Sequence, residues 1–205
     1  MPGLEYLLAA AIAYLIGSFP SAYLITKALT GQDIRKLGTG NVGVMNTMAH
    51  VGFKGAAAVF LAEAVKGVSA ALVGRYLTGT QAGGAAAGVC AVAGVNWSVW
   101  LGFKGGRGTT TGIFATLVVS VPVVLGMAAV WGLSYLILRN SFYATRVNII
   151  TLPVTAGVLE QSLAIGLLAA AGSILLLLRH KKETDDHLLL TGPVPEYEGL
   201  PASRE

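Results

Sequence analysis

Residues 109–138 read TTTGIFATLVVSVPVVLGMAAVWGLSYLIL, thirty residues without a charge. A helix crossing the ~30 Å hydrocarbon core of a bilayer needs about 20 residues. The stretch is too long for one span and suits two short helices joined at Ser120-Val121-Pro122. Downstream, residues 139–146 are polar. Residues 147–178 then form a second apolar run, divided near Glu160-Gln161, which again suits two short spans. Upstream, residues 82–101, 55–77 and 4–25 each fit a single span. The pattern predicts an all-α polytopic membrane protein with about seven transmembrane helices, five being the lower count. Short re-entrant or loop segments gather at its cytoplasmic face.

The composition agrees. Of 205 residues only 12% are charged and 54% are hydrophobic, whereas a soluble domain carries about 25% charge. Mean hydropathy is +0.69. The first run begins with acidic Glu5, not with the basic start of a secretory signal, and is expected to be a retained helix. The single cysteine, Cys90, excludes an internal disulfide and a cysteine-based metal cluster, and is read as a small buried hydrophobe. The sequence pI near 9.3 suits a nucleic-acid binder, but in a membrane protein basic residues mark the cytoplasmic side. With the N-terminus outside, the inside loops hold Lys27, Arg35, Lys36, Lys54, Lys104, Arg107, Arg139, Arg146, Arg179, Lys181 and Lys182. The outside loops hold only Arg75. Residues 1–182 are expected to form one transmembrane helical domain and residues 183–205 a flexible cytoplasmic tail. No internal repeat is present, so the inverted repeats of many transporters are missing.

Three polar segments carry the chemistry, all on the predicted inside. The first, residues 31–46, reads GQDIRKLGTGNVGVMN. Its glycines at 38, 40 and 43 let backbone N–H groups converge on an anion, and Thr39, Asn41 and Asn46 can add hydrogen bonds. It reads equally as a cytoplasmic linker. The second, residues 103–111, reads FKGGRGTTT. Lys104, Arg107 and the amides of Gly105, Gly106 and Gly108 precede an apolar helix, a pattern that suits phosphate. The bland alternative is a positive-inside anchor with a glycine break. The third is Glu63-Ala64-Val65-Lys66-Gly67. Glu63 and Lys66 share a helix face, and charges inside a span are costly and often functional. A buried structural pair is the equal alternative. Beside these, Trp97 and Trp100 suit an interfacial belt, and Asn96 either faces the polar site or bonds at a helix end. His50, His180 and His187 stand in no recognisable catalytic setting, and no metal set or cofactor motif is found.

Taken together, the segments resemble the bacterial acyl-phosphate:glycerol-3-phosphate acyltransferases of the PlsY type. The resemblance runs from the Gly17-Ser18-x-Pro20 element to about Leu178. The family's G-x-D-I/L-R-x-x-G-S-G-N-x-G-x-T-N is matched by GQDIRKLGTGNVGVMN. Its D-x-x-K-G is matched by EAVKG, and its G-H-x-x-P with F-x-G-G-K-G-x-A-T by GVNWSVW with FKGGRGTTT. The resemblance implies seven helices around a cytoplasm-facing site in the bacterial plasma membrane. It implies acyl transfer from acyl phosphate to the 1-hydroxyl of glycerol 3-phosphate, giving lysophosphatidic acid for phospholipid synthesis. It also implies no metal, no cofactor, no acyl-enzyme, no nucleic acid and a monomer in contact with membrane lipid.

Carried over residue by residue, the positioning groups are Asn41, Lys104 and Arg107. The substrate-binding set adds Arg35, Thr39, Gly40, Gly43, Asn46, Glu63, Lys66, Asn96, Gly105, Gly106 and Gly108. A groove between helices on the lipid side would take the acyl chain. The chain departs from the pattern at several of its positions. Thr39 stands for serine, Met45 for threonine, Ala49 for arginine, Glu63 for aspartate, Asn96 for histidine, Ser98 for proline and Arg107 for lysine. The family's C-terminal H-x-x-N-I-x-R-L has no clear counterpart in residues 179–190. These departures leave two alternatives open: an enzyme with another acceptor, and a non-catalytic membrane protein that binds lipid or an anion. A small-anion transporter is a weaker fourth.

Overall fold

The computed structural model describes residues 3–181. The expected tail at 183–205, Lys182 and His187 lie outside the described residues. Among the described residues the chain forms nine α-helices and two 3-10 turns, with no strand. Helix α1 (Leu4–Ser18) and helix α2 (Ser21–Thr30) form one 27-residue path, interrupted where Pro20 lacks the N–H that would continue the ladder. Helix α3 (Val44–Val51) is short. Helices α4 (Phe53–Thr78) and α5 (Gln81–Asn96) follow as long spans. Helix α6 (Thr109–Val119) has 11 residues, helix α7 (Val121–Leu138) 18, helix α8 (Ser141–Leu159) 19 and helix α9 (Leu163–Arg179) 17.

Both predicted divisions are present. Ser120 ends α6 and caps α7 by accepting from the Val123 N–H, with Pro122 in the first turn, where its missing N–H costs nothing. Helix α8 ends at Leu159, and Ser162 caps α9 through the Ile165 N–H. Five segments are long and apolar enough to cross a membrane, while α6 and α9 are shorter apolar helices. The count of seven is therefore approximate. Helix α6 rises only about 16 Å at 1.5 Å per residue, so it reaches through part of a bilayer.

The polar stretch between the first two spans is more ordered than a loop. Helix α2 continues to Thr30 and stops at Gly31, whose φ of +73° is left-handed. A 3-10 turn (Ile34–Lys36) and α3 follow. Cys90 is half-buried, not fully buried.

Close packing rests on small residues, as it does where lipid supplies no hydrophobic drive between helices. A Cβ on Gly17 would lie 2.0 Å from the Ala91 carbonyl oxygen, and one on Gly94 would lie 2.2 Å from that of Tyr14. Helices α1 and α5 thus meet backbone to backbone. Gly67 does the same for α4 on α6, where a Cβ would lie 2.3 Å from the Thr111 oxygen. Helix α8 packs on α7 and α9, and α9 on α5, while α6 and α8 make at most marginal contact. At the end of the bundle away from the glycine loops, Glu160 accepts from Ser120 and Gln81, and Gln81 also donates to the Val119 carbonyl. This cluster ties three helix ends together.

Candidate active site

The break at Pro20 exposes carbonyls that a continuous helix would have used. Lys66 satisfies two of them: its Nζ donates to the Phe19 oxygen at 2.9 Å and to the Gly17 oxygen at 3.4 Å. Its third partner is Glu63 Oε1 at 2.6 Å. Glu63 also accepts from Ser21 Oγ and from Thr111 Oγ1, each at 2.6 Å. The pair joins α2, α4 and α6 around the helix break. All three ammonium donors of Lys66 have protein acceptors, so the arrangement is that of a buried structural pair.

The loop before α3 is held from inside. Asn46 is fully buried. Its Nδ2 donates to the carbonyls of Leu37 and Asn41 at 3.0 Å and of Ile34 at 3.3 Å. Asn46 therefore shapes the loop around Thr39 and Asn41 and does not face a cavity. Arg35 is turned away too. Its guanidinium grips Asp33 at 2.6 Å and lies over the Tyr23 ring. These hydrogen bonds hold the Asp33 carboxyl below the usual aspartate range, helped by the Arg35 backbone N–H and the nearby Lys36 charge, against an opposing effect of burial.

The second glycine loop folds back onto the end of α5. The Gly105 N–H donates to the Asn96 carbonyl at 3.2 Å and the Gly106 N–H to that of Val95 at 3.0 Å. These two amides were candidates for phosphate, but in this fold they hold the loop. The glycines are needed for the approach, since a Cβ on Gly105 would lie 1.9 Å from the Val95 oxygen. Arg179 closes the loop from α9, donating to the carbonyls of Gly105 at 2.5 Å and Gly106 at 3.3 Å. Asn96 is fully buried and donates to the Leu175 carbonyl at 3.0 Å, which makes it a helix-end bonder. Lys104 is exposed, whereas Arg107 is half-buried.

Two polar cavities result. The first, about 260 Å³, is lined by Asn41, Gly43, Met45, Glu63, Arg107, Gly108, Thr109, Thr110, Ser141, Thr145 and His180 among others. The second, about 230 Å³, is lined by Thr39, Gly40, Asn41, Gly105, Arg107, Leu178, Arg179 and Lys181. Asn41 and Arg107 stand in the wall of both. Helix α6 begins at the first cavity with Gly108 at its N-cap, φ +75°, and no side-chain cap. Its N-terminal amides favour an anion there. A third, apolar cavity runs between α6 and α8, lined by residues of α5 to α9, and shares Thr109 and Thr145 with the first.

The structure thus brings together Thr39, Gly40, Asn41, Gly43, Glu63, Gly105, Arg107 and Gly108 around the two polar cavities. Arg35, Asn46, Lys66, Asn96, Lys104 and Gly106 do not line either. Sequence reasoning missed Arg179, Lys181 and above all His180. His180 is buried, stacked on Phe142 with centroids 4.5 Å apart, and lines the first cavity. It is one of the three histidines that stood in no recognisable catalytic setting. The signal was its place just after the last apolar run, beside Arg179.

The model of the family described as "Glycerol-3-phosphate acyltransferase" matches residues 7–189. A glycerol-3-phosphate acyltransferase of Gloeobacter violaceus is 34% identical over 197 residues, covering 94% of this chain and 95% of the relative. One of Rubrobacter xylanophilus is 34% identical over 188 residues, covering 92% and 93%. Among solved structures, the crystal structure of PlsY (YgiH), an integral membrane glycerol 3-phosphate acyltransferase, in its glycerol 3-phosphate form superposes with a TM-score of 0.77 at 30% identity. That match covers 91% of this chain and 92% of the other. The lysophosphatidic acid form gives a TM-score of 0.74 at 28% identity, with the same coverage.

Proposed function

The chain belongs to the glycerol-3-phosphate acyltransferase family, and from that premise we propose that it transfers a fatty acyl group from acyl phosphate to the 1-hydroxyl of glycerol 3-phosphate. The observation that carries this reading is the shared wall of the two polar cavities. Two phosphate-bearing substrates need two anion pockets within reach of one reacting carbon, and Asn41 and Arg107 belong to both. Arg179 and Lys181 add cations to the second pocket. They supply there the charge that Ala49 does not.

The chemistry follows from placement. The hydroxyl oxygen attacks the acyl carbon, the bond from that carbon to the phosphate oxygen breaks, and phosphate leaves with its electron pair. The hydroxyl proton passes to the departing phosphate. Acyl phosphate is already activated, so holding both substrates and neutralising their charge supplies most of the acceleration. The acyl chain lies in the apolar cavity, which meets the first polar cavity at Thr109 and Thr145. No metal or acyl-enzyme is required by this route.

The same reading places the cavities on the cytoplasmic side, with the N-terminus outside. Lys27, Lys36, Lys54, Lys104, Arg139 and Arg146 stand at or near the end of the bundle that carries the site, and Arg75 at the other. The test is phosphate release by purified protein given acyl phosphate and glycerol 3-phosphate. Release well above that of an Arg107→Gln variant supports the proposal, and equal release from the two proteins overturns it.

A further inference from the structure

The apolar cavity is not uniformly apolar. Asn148, on α8, lines it between Thr145 and Leu152, in company with Val92, Ile149 and Leu176. Its Oδ1 is buried and has no hydrogen-bond partner. Three other polar side chains along this wall are engaged. Thr116 donates to the Gly112 carbonyl at 2.9 Å, Ser120 donates to Glu160, and Thr145 accepts from Trp131 Nε1 at 3.0 Å. A buried acceptor without a donor is costly and calls for an explanation. A polar side chain inside a membrane span is a functional signal by default.

Its position defines what would satisfy it. Thr145 lines both the polar and the apolar cavity, whereas Asn148 lines only the apolar one. Three residues along α8 are about 4.5 Å. With the acyl carbonyl at the junction marked by Thr109 and Thr145, Asn148 faces the first few carbons of the chain, not the carbonyl itself. A carbonyl could not serve Oδ1 in any case, because it accepts and does not donate. A hydroxyl on the chain donates, and it would satisfy either end of the amide. Resting on the acyltransfer reading above, the geometry points to a specificity-determining role for Asn148: the groove favours acyl groups carrying a hydroxyl near the carboxyl end, the 3-hydroxyacyl class.

The test compares 3-hydroxytetradecanoyl phosphate with tetradecanoyl phosphate as donors to the full chain in lipid nanodiscs. The expected ratio of kcat/KM is on the order of tenfold in favour of the hydroxylated donor, as for one hydrogen bond gained. Asn148→Leu, of similar volume, brings the ratio to about one. Because each ratio is taken on one preparation, a change in folded fraction cancels. In parallel, binding of the two matching acyl phosphonates, which cannot transfer, is measured by thermal shift. Hydroxyl preference in binding with no turnover by either donor overturns the acyltransfer reading and leaves this one standing. Turnover or binding that ignores the hydroxyl overturns this one. Binding of neither phosphonate together with turnover of neither donor overturns both.

Discussion

Lys66 Nζ sits 2.6 Å from Glu63 Oε1, one turn away on α4, and both side chains are more than nine-tenths buried. The ammonium also donates to the Gly17 and Phe19 carbonyls. Lys66→Met would leave a buried carboxylate without its cation and would take one donor from each of the Gly17 and Phe19 carbonyls. Breaking such a pair from one side costs about 3–5 kcal/mol. The expected outcome is a much lower unfolding midpoint in detergent, and a midpoint within experimental error of wild type would refute the structural role.

Arg107 and Lys104 are three residues apart but differ in environment. Arg107 lines both polar cavities, whereas Lys104 is exposed and lines neither. Arg107→Gln is expected to lower phosphate release by about 10²-fold, the usual effect of losing a preorganised electrostatic group. Lys104→Gln should change it by no more than a few-fold. Reversal of that order would show that the exposed lysine reaches the substrates in the membrane.

Gly105 and Gly102 occupy the same loop for different reasons. A Cβ on Gly105 would lie 1.9 Å from the Val95 oxygen, while one on Gly102 meets nothing within 4 Å, though its φ is +61°. Gly102→Ala should cost about 1 kcal/mol of backbone strain and keep activity. Gly105→Ala should displace the loop from α5 and abolish phosphate release. Comparable thermal midpoints and activities for the two variants would contradict the close approach.

Asp33 ties the turn before the first glycine loop to Arg35. Its carboxyl is held below the ordinary range chiefly by the Arg35 side-chain hydrogen bond. A group with a depressed folded pKa contributes stability that is complete above its unfolded value and is lost as pH falls through the folded value. The unfolding midpoint should therefore drop, on acidification below the ordinary aspartate range, more in wild type than in Asp33→Asn. The pair is partly exposed, so the difference should stay within about 1 kcal/mol. Parallel acid profiles for the two proteins would remove the pair from the account.

Much of the fold was legible in the sequence because a bilayer imposes a one-dimensional rule. Segments of the right length and without charges must become helices, since lipid offers no partner to their backbone groups. The uncharged stretch at 109–138 and its break at Ser120 followed from that rule alone, and the divided run at 147–178 followed in the same way. The three polar segments were also visible, through residue types suited to anions.

What each polar residue does was decided only by the tertiary structure. Asn46 and Asn41 are equally apt to bind a phosphate by composition, yet one is clamped under three carbonyls and the other lines both cavities. Lys66, a cation in a span, is taken up by the carbonyls that the Pro20 break released. His180 lies far along the chain from the glycine loops, and α9 alone carries it to the cavity. The physical reason is common to these cases. A span is fixed by local hydrophobicity, whereas a donor's role depends on which acceptor the packing of distant helices leaves within 3 Å of it.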